Sequence, residues 1–396
     1  MEIAIGKNQV IWVKKQTAKN TPAWPAASDA VLITSDAKFT QDRSFYDDKQ
    51  KRLTKGKTGR LAGLYKAGEF NLSTYIKPSG SLGVAPVPGK ILESLFGVET
   101  VNASTSVVYT LDSIDSEPIY LSVLAKDNFQ TWLLYDLVVA NGTIMVKAAD
   151  SEEGYVSIDA SGGFLKSLFA GTDATSQLEA IAATAIHVVD ARKFEVGQKI
   201  IVGTSGVTAG HEITAVDVST NIVTIAASGL ESEQASGVVV KGWTPAITEA
   251  GYLIHGQFGR YQEKIGAADY ANVLITEAQV EISNGWHVLE REKNDDAYPT
   301  SFAAGERDVS FKINRYFKAD GGVYRYEANN QTQKLIKLQA ANTTYSASEG
   351  KRMEIGVTNL QIDSPVASGD AERSFEINGH VFETSALNDS ISMTFA

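Results

Sequence analysis

Between Val273 and Ile282 the chain alternates, with Glu277, Gln279 and Glu281 on one side of an extended backbone and Ala278, Val280 and Ile282 on the other. That period predicts a strand with one face on a core and one on water, as in antiparallel sheets. From Glu306 to Ile313 the pattern returns, Glu306, Asp308, Ser310 and Lys312 opposing Val309, Phe311 and Ile313. Further strands are expected around 107–111, 119–124, 131–139, 334–339, 353–362, 375–377 and 391–395. Helical spacing shows at Pro88–Phe96, where Ile91, Leu92, Leu95 and Phe96 share a face and Gly97 ends the element. A weaker counterpart lies near 322–331.

These elements recur. Val31-Leu32-Ile33-Thr34 returns as Val273-Leu274-Ile275-Thr276, and Ala67-Gly68-Glu69 as Ala304-Gly305-Glu306, at offsets of 242 and 237 residues. Tyr155 to Phe164 is echoed by Ser374 to Phe382. Self-similarity at a fixed offset marks an internal repeat, so residues 1–182 and 244–396 read as two copies of one sheet-rich fold, each with one helix. Between them, 183–243 holds short Val/Ile/Thr strands with Gly, Ser and Asn turns, which reads as a small inserted all-β domain.

Composition narrows the chemistry. No apolar run approaches the ~20 residues that span a bilayer, and Met1 to Ile5 lacks the regions of a secretory signal, so no membrane is expected and synthesis is placed in a cytoplasm. With no cysteine there is no disulfide, thiolate metal site or Cys nucleophile. His187, His211, His255, His287 and His380 are scattered without metal spacing and read as surface or turn residues. Asp112, Asp115 and Glu117 cluster without the glycine and closing glutamate of a calcium loop, and read as a solvated turn. No nucleophile elbow or dinucleotide fingerprint is present. The reading is therefore of a non-enzymatic protein without cofactor or metal. A net charge of -11 also argues against gripping nucleic acid, though not against letting it slide past.

One basic run invites a nucleotide. Gly56-Lys57-Thr58 closes a P-loop pattern, but Lys51 stands where the first glycine is needed, and charged residues precede it where a buried strand belongs. The run instead connects two strands. Residues 42–60 carry Arg43, Lys49, Lys51, Arg52, Lys55, Lys57 and Arg60 against three acids, net +4. The equivalent stretch 284–299 carries Glu290, Glu292, Asp295 and Asp296 against two bases, net -2. Opposite signs on equivalent loops predict contacts between neighbouring subunits or rings.

With the repeat established, "VLITEAQVEIS", "AGERDVSFKINRYF", "RMEIGVTNLQIDSPVASGDAERSFEINGHVF" and "NDSISMTF" resemble the tail tube (major tail) proteins of long-tailed, non-contractile bacteriophages, and "VLITSDAKFT", "AGEFNLSTYIKPSG" and "PGKILESLFG" answer in the first copy. The resemblance implies a mainly β chain: two tandem β-sandwich or half-barrel folds, each with a flanking helix, the insert resembling a decoration domain. It further implies homotrimeric, pseudo-hexameric rings that stack into a hollow tube in the virion, with tape measure, tail terminator and distal tail proteins as partners at the tube ends. Phage DNA would pass without specific binding. Under that reading Asp36, Lys38, Glu69, Glu277, Gln279, Glu281, Glu306 and Asp308 line the lumen, and Lys38 and Lys312 make the lining mixed rather than purely acidic. A carbohydrate-binding, adhesin-like β protein and the tube protein of a contractile injection system are the alternatives.

Overall fold

The computed structural model describes residues 9–47, 60–112, 116–248, 250–289, 297–316, 321–344, 349–363, 365–368, 374–383 and 390–396. The protein is mainly β, built from large antiparallel sheets. Its first part comprises β1 (Val10–Lys15), β2 (Ala30–Val31), β3 (Lys38–Thr40), β4 (Arg43–Asp47), β5 (Arg60–Tyr65) and β6 (Gly68–Tyr75). Helix α1 (Gly89–Phe96), β7 (Gly97–Asn102), β8 (Ser106–Leu111), β9 (Leu121–Asp127), β10 (Gln130–Lys147) and β11 (Ser157–Ala170) follow. A small sheet comes next, from β12 (Thr172–Ala174), β13 (Ala185–His187), β14 (Lys199–Val202), β15 (His211–Asp217), β16 (Ile222–Ile225) and β17 (Val239–Gly242). The last part holds β18 (Tyr261–Ile265), β19 (Ala271–Asn272), β20 (Glu277–Ser283), β21 (His287–Leu289), β22 (Ser301–Ala303) and β23 (Asp308–Tyr316). It ends with α2 (Gly321–Asn329), β24 (Lys334–Ala341), β25 (Arg352–Ile362), β26 (Val366–Ser368), β27 (Ser374–Val381) and β28 (Ile391–Phe395).

The two large parts pair their strands in one order. In the first, β11 lies between β6 and β10, β10 continues to β9, β1 and β2, and β3 flanks β6. In the second, β27 lies between β23 and β25, β25 continues to β24, β18 and β19, and β20 flanks β23. Each has a separate two-stranded hairpin between matching strands, β4–β5 and β21–β22. Helix α1 buries Ile91, Leu92, Leu95 and Phe96 in the main core. It stops at Gly97, whose φ of +103° and whose contact with the Asp112 carboxyl leave no room for a side chain.

Two joints fuse these repeats. β20 continues the first sheet by pairing with the C-terminal half of β10, from Asn141↔Ser283 to Lys147↔Glu277. β28 bridges β25 to β8. A single core cluster consequently runs from Ile11 to Phe395.

Strand β10 serves two sheets over its 18 residues because it bends. Its register shifts between Leu134 and Leu137 and again between Val139 and Asn141, and Asp136 sits at φ +52°. Fully buried Asp136 donates its N–H to Gln16 Oε1 at 2.8 Å, while its Oδ1 accepts from Asn20 N at 2.7 Å and Gln16 Nε2 at 3.2 Å. Its Oδ2 has no partner, and burial pushes the carboxyl above the usual range. A carboxyl raised on folding binds its proton more tightly in the folded state. Stability therefore falls as pH climbs from the ordinary carboxylate range through the raised value, and stays low above it. Asp136→Asn tolerates the positive φ and carries no charge. It is expected to gain on the order of 1 kcal/mol at neutral pH and to flatten that fall. Urea midpoints taken across the pH range check this, and a variant as pH-dependent as the parent would count against it.

The small sheet runs β12-β17-β14-β15-β16-β13 around its own core of Ile186, Ile200, Val202, Ile213, Val223 and Val240. It begins at Thr172, ahead of the boundary expected at 183, because Thr172–Ala174 pairs with Val239–Lys241. The polar stretch there carries no alternation that would betray a strand. This unit is docked rather than tethered: Ile201 and Trp243 pack with Trp12, Leu124 and Leu133 of the first repeat. Lys199 stands over the rings of Trp24 and Trp243 at 5.0 and 5.4 Å, and burial lowers its pKa.

Candidate functional site

One face of the fused sheet is polar over most of its width. The strand order β3-β6-β11-β10-β20-β23-β27-β26 sets eight strands side by side. Successive side chains of each strand point to opposite faces. Leu72, Ile144, Ile158, Val280, Ile282, Phe311, Ile313 and Ile377 thus enter the core, and polar rows cross the other side. One row is Lys38, Asn71, Ser161, Asn141, Ser283 and Asp308. The next is Ser73, Asp159, Thr143, Glu281, Ser310 and His380. A third holds Tyr75, Ser157, Met145, Gln279, Lys312 and Asn378, and a fourth Lys147, Glu277, Asn314, Glu376 and Val366, so that apolar side chains interrupt these two.

Acids outnumber bases on this face. Glu69, Asp159, Glu277, Glu281, Asp308 and Glu376 stand against Lys38, Lys147 and Lys312. The charges are spaced rather than gathered. Lys312 Nζ meets Glu376 Oε2 at 2.8 Å, and this bond together with Asn378 holds the Glu376 carboxyl below its usual range. His380 Nδ1 lies 3.4 Å from Asp308 Oδ1. An exposed, dispersed set of this kind can repel a polyanion over an area, but brings no acid, base and nucleophile together.

Of the residues expected in a lining, Lys38, Glu69, Glu277, Gln279, Glu281 and Asp308 come together on this face. Asp36 and Glu306 lie at its margin, exposed and just ahead of β3 and β23. Asp159, Lys147 and Glu376 belong to the face and were missed. The signal was present in "VSIDA" and "SFEINGH", which alternate as β20 does, and in "NGTIMVK", where Met145 alone breaks the polar side. Of the residues expected at a subunit contact, Arg43 lies in β4, its Nε donating to Gly63 O at 3.0 Å and its guanidinium 4.9 Å from the Tyr65 ring centre. Arg60 opens β5. Lys49, Lys51, Arg52, Lys55, Lys57, Glu290, Glu292, Asp295 and Asp296 lie outside the described residues.

Two sequence expectations need correcting. Asp112 is not solvated: its side chain is buried and its carboxylate pairs with Arg307 of the second repeat. His211 is buried as well, with Nε2 2.8 Å from Ser205 Oγ. That pair resembles a catalytic dyad, but Ser205 is wholly buried and its Oγ accepts from Glu231 N at 2.8 Å, so it pins a turn in the small sheet. Among the described residues no three His, Asp or Glu side chains are grouped to hold a metal ion, and no helix is long and apolar enough to cross a membrane.

No protein-family model matches the chain, and no curated protein matches it either. The functional reading therefore rests on the geometry of the sheet and its edges.

Proposed function

We propose that the chain is a structural subunit of a phage tail tube, closing head to tail into trimeric, pseudo-hexameric rings that stack around a DNA-conducting bore. One observation carries the reading. Within the chain, repeat two joins repeat one through β20 on the outer edge of β10, and the matching edges at the two ends of the eight-stranded sheet have no partner strand among the described residues. β3, the counterpart of β20, pairs only with β6. β26, which lies on β27 as the C-terminal half of β10 lies on β11, pairs only with β27. A sheet ending in two complementary open edges is an aggregation hazard in a monomer. The same joint repeated between chains is heterologous, and it makes a ring when its rotation closes.

The size fits. Three chains at eight strands each supply 24 strands. At about 4.8 Å per strand the wall measures roughly 115 Å around and about 37 Å across, before strand tilt widens it. Side chains reach about 5 Å inward, half the spacing of stacked sheets, which leaves a bore of about 27 Å for a double helix. The polar face would form that bore, with carboxylates in excess. Phosphates at one charge per about 1.7 Å of duplex axis would then find too few cations to displace their counterions and hold the DNA in place. The proteins that cap the tube would meet the same open ends of the stack.

Purified protein at high concentration is expected to show rings of threefold mass and hollow striated tubes by negative-stain microscopy, with a matching sedimentation boundary. Monomers at every concentration, particularly monomers that bind on a glycan array, would overturn the reading in favour of an adhesin.

A further inference from the structure

The two hairpins occupy equivalent places and meet opposite fates. β21–β22 folds back over the far end of the polar face of the first repeat. There Phe302, Trp286 and Val288 cover Tyr120, Val138 and Leu165, and Phe302 is only 7% exposed. The approach is close enough that a side chain at Gly163 would strike the Phe302 ring. At the base of β4–β5 Tyr65 stacks on Tyr298 at 4.6 Å and donates its N–H to Ala297 O at 2.8 Å, but farther out Tyr46, Leu61 and Leu64 are 58, 70 and 40% exposed. Tyr46 precedes Val288 by 242 residues, the offset that relates the two Val-Leu-Ile-Thr segments. The side chain equivalent to half-buried Val288, which packs on that cluster, is thus left in water, on a two-stranded hairpin that is marginal on its own.

The surface that would receive it can be located by the same correspondence. β21–β22 follows β20 and leans over the repeat whose sheet β20 joins, resting where β10 meets β11. β4–β5 follows β3, and the same lean would carry its outer end past the open edge of β3. The matching place on a second repeat is where β25 meets β27. There Asn359 and Phe382 lie opposite one another, continuing the face that carries Gln361 and His380. Phe382 is 46% exposed, and Asn359 is buried with its Oδ1 lacking a hydrogen-bond partner. An exposed aromatic beside an unsatisfied amide oxygen fits a contact that is incomplete in the single chain.

We infer that the β4–β5 hairpin is a clasp, which docks on the second repeat of a neighbouring copy over Asn359 and Phe382, as β21–β22 docks on Tyr120, Val138 and Leu165 within the chain. The inference rests on the ring reading and specifies its partner surface. Edge pairing through β3 supplies hydrogen bonds with little side-chain selectivity, and the clasp adds an apolar anchor that sets register and excludes other strands.

The combined variant Tyr46→Glu and Leu61→Glu changes only exposed positions. It is expected to keep the parent far-UV spectrum and thermal midpoint as a subunit while raising the concentration needed for ring formation at least about tenfold. Because the chain has no cysteine, Leu61→Cys and Phe382→Cys supply clean reporters. Mixed under assembly conditions with a short bismaleimide, the two single variants should give a covalent dimer that neither gives alone. Tubes that form without that dimer, or that form normally from the double glutamate variant, would overturn the clasp while leaving the ring intact. Failure of the parent protein to form rings at any concentration would remove both.

Discussion

Replacing Lys334 by methionine should cost the second repeat about 3–5 kcal/mol, because it strands two carboxylates in the interior. The Lys334 ammonium is 2% exposed, 2.7 Å from Glu263 Oε2 and 2.6 Å from Glu327 Oε2, and 4.3 Å from the centre of the Tyr324 ring. Glu263 Oε1 also accepts from the Tyr261 hydroxyl at 2.9 Å and the Tyr324 hydroxyl at 3.2 Å. Tyr324 in turn accepts from Arg315 Nη1 at 2.8 Å, and burial with the Glu263 charge drives both tyrosine pKa values up. The network ties α2 to β18 and β24 where α2 has little apolar surface to do so: its Val323 and Tyr326 are exposed. The whole set is expected to matter less than any one member. Adding Glu263→Gln and Glu327→Gln to Lys334→Met should recover most of the loss, since neutral partners no longer need the cation. Urea unfolding of the parent, Lys334→Met and the triple variant decides it, and a single substitution costing under about 1 kcal/mol, the size of a surface pair, would refute the account.

Arg307→Ala should be comparably damaging, and it should separate what now unfolds together. Its Nε donates to Asn284 Oδ1 at 2.8 Å and its Nη1 to Asp112 O at 2.9 Å, while Nη2 pairs with the Asp112 carboxylate. Asn284 passes the link on, its Nδ2 donating to Leu95 O at the end of α1 at 2.7 Å. The guanidinium fork thus clamps repeat two to the helix and turn of repeat one beside the β10–β20 joint. Truncation leaves Asp112, 8% exposed, buried without its cation, a loss of about 3–5 kcal/mol. Arg307→Lys should rescue little, because a single ammonium cannot reach three acceptors in that fork. Calorimetry should resolve two transitions where the parent has fewer. An unchanged melting profile would mean that the clamp is redundant with strand pairing.

Much of this architecture was legible because half-buried strands write their exposure in alternation. β20, β23 and β25 were readable residue by residue, and the offset of 242 residues linked the repeats before any strand was placed. β10 was harder, since its first half is covered on both faces: Leu133 packs on the small sheet and Leu134 in the main core, so no period survives. The expected strand ended at 139, so the half from Asn141 to Lys147 that pairs with β20, the joint that makes one sheet of two repeats, was not anticipated. Asp112 was misread for a different reason. Its partner lies 195 residues away, and nothing local distinguishes a carboxylate awaiting a distant arginine from one that faces water. The segment that the repeat aligns with the run into β20 is itself divided: Val31 pairs with β1 and Lys38–Thr40 with β6, a crossing that the repeat match did not reveal.

The strand that bridges the repeats also imposes a schedule on synthesis. β8 is complete by Leu111, yet its partner β28 is not made until residues 391–395. At about 5–20 residues per second that interval of roughly 280 residues lasts on the order of 15 to 60 seconds. Throughout it the first repeat waits with its β8 edge open, and until residue 283 its long strand β10 lacks β20 as well. A nascent chain therefore cannot complete its sheet until both repeats exist. The element that seals the fold thus acts as a clock, setting the moment at which the common core of both repeats can close.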